Sequence, residues 1–309
     1  MIGTLVKIGI SFTLLVFISS KLNIEESLRL IAGSKILYIA AAVLISFFQS
    51  AFALFRWYRI VITKEMYIPV FHIARYFWIG LFFNQILPSS IGGDAVRGYC
   101  LVREGYGWGR ALLSVLLDRL LGMMGLVVLI LFAAFQFAND VSFLREQWGT
   151  VFLLLMMFFG LFVVFFLDTF TAKFPNWFIT KGLSTLAVNA RHLVASQHGL
   201  SLMSLSVLIH AMSIAVVGVL SWSLMIEIDW TTLAIIVPVT TLIMAVPVSI
   251  AGWGVREGVM VVGLSYSGVL GEEALALSIL YGLSIVVTSL PGVLCWINDP
   301  NRYHKNHAT

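Results

Sequence analysis

The sequence predicts an all-α polytopic integral membrane protein with inverted-topology repeats and broken or re-entrant helices. Three observations carry that expectation. The 309 residues are 60% hydrophobic and only 11% charged, which is more apolar surface than a water-soluble core could hide. The apolar runs are long and do not alternate, so helices are implied rather than a barrel. A ten-residue motif rich in proline, glycine and arginine also occurs twice, each time straight after an apolar run.

Crossing a hydrocarbon core of about 30 Å takes about 20 apolar residues. Runs of that kind fall near 2–19, 36–55, 70–87, 111–138, 150–167, 201–226, 232–250, 255–270 and 274–297. The first has Lys7 ahead of an apolar run, as a signal peptide would, but Ser19, Ser20 and Lys21 make a poor cleavage site, so a retained helix is expected. Residues 23–33 place Asn23 and Glu26 as a helix start before Leu28 and Ile31, and read as a helix lying in the membrane interface. The stretch 176–197, where Leu183, Leu186, Val188 and Leu193 interleave with polar residues, reads the same way. The whole of 1–309 reads as one membrane domain.

The repeat aligns "PSSIGGDAVR" (Pro88 to Arg97) with "PVSIAGWGVR" (Pro247 to Arg256) without a gap, with six identities in ten. Each copy is preceded and followed by a further span, which gives approximate repeats 36–138 and 201–297. Arg56, Arg59 and Lys64, then Arg103 and Arg110, then Lys173, Lys181 and Arg191, and finally Arg302 and Lys305 mark cytoplasmic segments, with both termini inside. On that count 68–104 starts and ends on the cytoplasmic side and 232–271 on the outer side, so the copies are inverted. Whether each pair is two full spans or a re-entrant hairpin stays open at this level; the latter requires surrounding protein or a watery cavity.

At the first break, Pro88 removes a backbone donor, Gly92 and Gly93 permit tight backbone, and Asp94 is suited to cap a helix resuming towards Arg97. Free N–H groups at a restarted helix with an arginine one turn in suit a phosphate. The expected substrate-binding set is Asn84, Pro88, Ser90, Gly92, Gly93, Asp94 and Arg97 at the first break. At the second it is Pro247, Ser249, Gly252, Trp253, Gly254, Arg256 and Glu257. Asn84 is assigned to the freed backbone, and Trp253 either caps the site or sits at the interface.

Asp118 and Arg119 in "SVLLDRLLG" belong to the set as well, since they lie about 12 to 14 Å beyond the marker Arg110 along a helix, where charge is costly. Adjacent residues on a helix do not face each other, so these two need partners elsewhere. His210, His72 and Arg75 are read as structural. Nothing supports a disulfide framework, a metal site, a cofactor or a nucleic-acid partner.

Together, "NQILPSSIGGDAVRGY", "LLDRLLG" and "VPVSIAGWGVREG" resemble the flippase-like membrane region of the lysylphosphatidylglycerol synthase family of prokaryotic multi-span proteins, over most of the chain. The resemblance implies binding and transbilayer movement of an anionic phospholipid or lipid-linked glycan in the cytoplasmic membrane. It also implies membrane lipids as partners, together with a separate lipid-modifying synthase or glycosyltransferase. The soluble aminoacyltransferase domain of full-length synthases has no counterpart in these residues, so synthase activity is not expected of this chain alone. Two other functions compete: an integral-membrane transferase using Asp94, Asp118 or Glu257 as general base, and a non-catalytic membrane subunit positioning another enzyme. Without a G-x-x-x-x-G-K-[ST] loop, direct use of ATP is not expected. The transport reading predicts that Arg97→Ala and Arg256→Ala abolish function with little loss of folded protein.

Overall fold

The computed structural model describes residues 2–87, 91–136, 166, 169, 178–246 and 249–299. The described chain is all-helical. In order the helices are α1 (Ile2–Lys21), α2 (Ile24–Ala32), α3 (Ile36–Thr63), α4 (Val70–Ile86), α5 (Gly92–Arg103), α6 (Trp108–Gln136), α7 (Phe178–Ala195), α8 (Gly199–Ser223), α9 (Trp230–Ala245), α10 (Val255–Ser265), α11 (Gly271–Ser289) and α12 (Pro291–Ile297). The expected span near 150–167 falls, but for residue 166, outside the described residues, and so do Pro88, Ser90 and Pro247.

Among the described residues four stretches are long and apolar enough to cross a membrane, Ile36–Thr63, Trp108–Ala133, Gly199–Ser223 and Gly271–Ile297, and the bent pair α1–α2 would make a fifth. This is a multi-pass membrane protein. Between the long helices lie short ones: α4 and α5 have 17 and 12 residues, α9 and α10 have 16 and 11. At 1.5 Å per residue α5 and α10 cover roughly 16 to 18 Å, about half of a hydrocarbon core. In each case the two short helices lie against each other, so both motifs sit at the tip of a hairpin of helices.

Both tips end the same way, and proline is the reason. Leu87 (ψ 141°) and Val246 (ψ 121°) are extended and each precedes a proline, whose ring disfavours the helical conformation in the residue before it. The helices then restart differently. α5 begins at Gly92, inside the motif, whereas α10 begins only at Val255, after a turn in which Ala251, Gly252 and Gly254 have φ of 49°, 84° and 86°. Left-handed backbone explains the two glycines of the second copy.

α3 packs along α8, α6 packs against α8 and α9, and α11 packs against α3 and α10. Lipid supplies no hydrophobic drive between helices, so close backbone approach matters. A side chain at Gly125 on α6 would collide with Ser206 on α8, and one at Gly93 with the Gly80 carbonyl and Asn84. Helices α2 and α7 occupy the two stretches expected to be interfacial, and α2 leaves α1 at a 90° bend. One boundary differs from expectation: α3 continues to Thr63, so Arg56 and Arg59 lie within a helix and not in the loop after it.

Candidate functional site

At the first break a single buried network joins four helices. The Arg97 guanidinium donates to Asp94 Oδ1 at 2.5 Å and to Asp118 Oδ2 at 3.2 Å. Arg56 Nε donates to Asp118 Oδ1 at 2.9 Å, and its Nη1 reaches Ser206 Oγ on α8 at 3.0 Å. Arg119 Nε donates to the other oxygen of Asp94. Asp118 and Arg119, neighbours in sequence, therefore serve different partners, as helix geometry requires. The Arg97 guanidinium also lies 4.8 Å from the centroid of the fully buried Trp57 ring and 5.7 Å from that of Phe77.

The backbone around it is tight. Gly93 donates its N–H to Asn84 Oδ1 at 2.9 Å, so the side chain closing the start of α5 comes from α4. Asp94 does not cap the helix as the sequence suggests. It sits within the first turn, where its carboxylate is drawn to two guanidiniums, and a charge-assisted bond outweighs a neutral cap.

At the second break the arrangement is local. Arg256 and Glu257 are 2% and 1% exposed, and they pair at 2.6 Å although adjacent in sequence. This is possible because Glu257, in the first turn of α10, folds back to accept the Gly254 N–H at 2.6 Å, which leaves its other oxygen to Arg256. Ser278 on α11 reaches the same oxygen at 3.4 Å. The Trp253 ring lies under the guanidinium, 4.5 Å from centroid to Cζ, so it packs on Arg256. Ser249 is buried in the turn, and the next residue, Ile250, donates its N–H to Ser11 of α1 at 3.0 Å.

Between the breaks lies a cavity of about 200 Å³ lined by Ser46, Gln49 and Ser50 of α3, Phe77 and Leu81 of α4, Ile209 of α8, and Tyr281 and Thr288 of α11. Phe77 links it to the Arg97 network. On the other side Tyr281 precedes Gly282, whose bare Cα leaves room for the Arg256 guanidinium. Gln49 anchors the wall by donating to Ser213 Oγ at 2.6 Å and to the Ile209 carbonyl at 3.0 Å.

Sequence reasoning missed Arg56, Trp57, Gln49 and Tyr281. A signal existed for Arg56 and Gln49: Ser46, Gln49, Ser50, Ala53 and Arg56 recur every three or four residues in an apolar span, a small-and-polar stripe down one face. The expectation of open N–H groups ready for a phosphate also changes, because Asn84 holds the Gly93 donor and Glu257 the Gly254 donor. The breaks are filled by the protein's own polar groups. His210, expected to be a packing residue, bonds the Gly122 carbonyl at 2.9 Å.

The family model for the lysylphosphatidylglycerol synthase TM region matches residues 4–292, which spans both breaks and every helix from α1 to α11. No curated protein matches the chain.

Proposed function

Because this chain belongs to the lysylphosphatidylglycerol synthase transmembrane-region family, we propose that it moves an anionic phospholipid or lipid-linked glycan across the cytoplasmic membrane. The headgroup passes through the central cavity, with Arg97 and Arg256 as the groups its phosphate engages. The observation that carries this reading is the position of the cavity. Its wall includes Phe77, which packs on the Arg97 guanidinium, and Tyr281, next to the Gly282 against which the Arg256 guanidinium lies, with Ser46, Gln49, Ser50 and Thr288 as polar groups among apolar neighbours. Broken helices facing one polar site near the bilayer midplane are what alternating access requires.

Charges held this deep need partners when no lipid is present, and Asp94, Asp118 and Glu257 supply them. A phosphate presents the same geometry to a guanidinium as a carboxylate does, so a headgroup enters by exchange for an internal pair. The same pairing speaks against the transferase alternative, because each carboxylate expected as a general base is clamped by an arginine. The two sets of helices, α3 to α6 and α8 to α11, are then the inverted halves that rock about the cavity.

The test is mass spectrometry of lipids that copurify in native nanodiscs, wild type against an Arg97→Lys, Arg256→Lys double variant, followed by a transbilayer assay with the enriched lipid in proteoliposomes. Enrichment of one lipid class that the variant loses is expected. A profile equal to the bulk membrane in both proteins would sink the reading.

A further inference from the structure

A second cavity lies on the flank of the protein, behind the second break. It has a volume of about 600 Å³ and lies between α1, α9 and α10. Leu14, Phe17 and Ile18 line it from α1, Ile243 from α9, and Val259 and Val262 from α10, with Lys21 at one end. Residues 14, 17, 18 and 21 form one stripe of α1, so one helix face is turned to the space. Gly258 deepens it: the nearest atom to a Cβ built there is Ile18 Cδ1, at 3.9 Å.

What fills such a space follows from its walls and its length. A buried water needs two to four polar partners, and these walls offer almost none, so water is a poor occupant. From Val255 to Tyr266 the α10 wall runs roughly 16 Å, about one leaflet of a 30 Å hydrocarbon core, and the α1 wall runs beside it for roughly 10 Å from Leu14 to Lys21. The deep end is Gly254, at the second break, and the shallow end is Lys21, beside the turn that leads into α2. Lys21 is exposed, and among the described residues its ammonium has no ion-pair partner.

The geometry points to a resident anionic phospholipid in this groove, one acyl chain lying between α1 and α10 with its methyl end at Gly254 and its phosphate at Lys21. This lipid is not the one moved: its chain stays in a single leaflet and contacts the back of the second hairpin. It completes the packing of α1 on this flank, where Leu14 lies at Gly254, Ile18 at Gly258 and Leu22 at Gly271 of α11. The proposal does not depend on transport.

The test uses the full chain in nanodiscs of phosphatidylethanolamine and phosphatidylglycerol, with a trace of either lipid carrying a photoactivatable group near the end of one acyl chain. Crosslinks from the phosphatidylglycerol probe should concentrate on Leu14, Phe17 and Val259 relative to Phe48, an exposed residue on α3. Gly258→Leu, which fills the groove from open space, should abolish that excess, and Val262→Trp serves in its place if Gly258→Leu does not fold. Lys21→Ala should lower the preference for phosphatidylglycerol over phosphatidylethanolamine about fivefold, the weight of one lysine at an anionic surface. Crosslinks no denser in the groove than at Phe48, or unchanged by both filling variants, would overturn the proposal.

Discussion

Arg56 on α3 and Asp118 on α6 meet at 2.9 Å with both side chains buried, and the other oxygen of Asp118 takes Arg97. One carboxylate therefore balances two guanidiniums from two helices. Removing it should cost more than removing any surface charge. Asp118→Ala is expected to destabilise the protein by about 3 kcal/mol or more, the range for stripping one partner from a buried pair. Thermal unfolding in one fixed detergent measures this, and an unchanged midpoint would mean that the network is not formed in the working protein.

Arg97→Ala leaves Asp94 to Arg119 alone and Asp118 to Arg56 alone and opens a gap between the two pairs, so it too should destabilise, contrary to the sequence-based expectation of little folded protein lost. Arg97→Lys keeps the charge but cannot reach two carboxylates and lie flat between Trp57 and Phe77 at once. The lysine variant should fold better than the alanine variant yet lose the enriched lipid. Equal enrichment in the lysine variant and the wild type would show that the fork geometry is not used.

Gly282→Ala removes no charge, but its methyl group would run into the Arg256 guanidinium. The expected outcome is loss of lipid enrichment comparable to that of an Arg256 variant. Gly109→Ala, where a Cβ meets open space, should leave enrichment intact and is the control.

Asn84→Ala frees the Gly93 N–H at the start of α5. The loss should be about 1 kcal/mol, as for other helix caps, and amide exchange in the first turn of α5 should quicken. Unchanged exchange there would mean that another group takes the donor.

The hairpins were legible in the sequence because their causes are local. A proline, the residue before it and a pair of glycines act within Leu87 to Gly93 in one copy and Val246 to Gly254 in the other, and both breaks are visible from those letters alone. The partners of Asp118 were not legible, since Arg56 lies 62 residues away and only the packing of α3 against α6 brings it near. Asp94 shows the opposite failure: its local role as a cap was readable, and a long-range pair overrode it. Arg256 and Glu257 broke a rule that Asp118 and Arg119 obey, because the first turn of a helix lets a glutamate fold back where a middle turn does not.

The two ion-pair sites differ in how far they reach. Moving the α4–α5 hairpin would tear Arg97 from Asp118 on α6 and Asp94 from Arg119 on the same helix. Moving α9–α10 would carry Arg256 and Glu257 along as a self-contained ion pair, giving up the longer reach to Ser278 and the bond from Ile250 to Ser11 of α1. Built from one motif twice over, the molecule thus has a bolted jaw, tied to its neighbours by charge, and a looser one, tied to them by hydrogen bonds with no ion pair among the described residues.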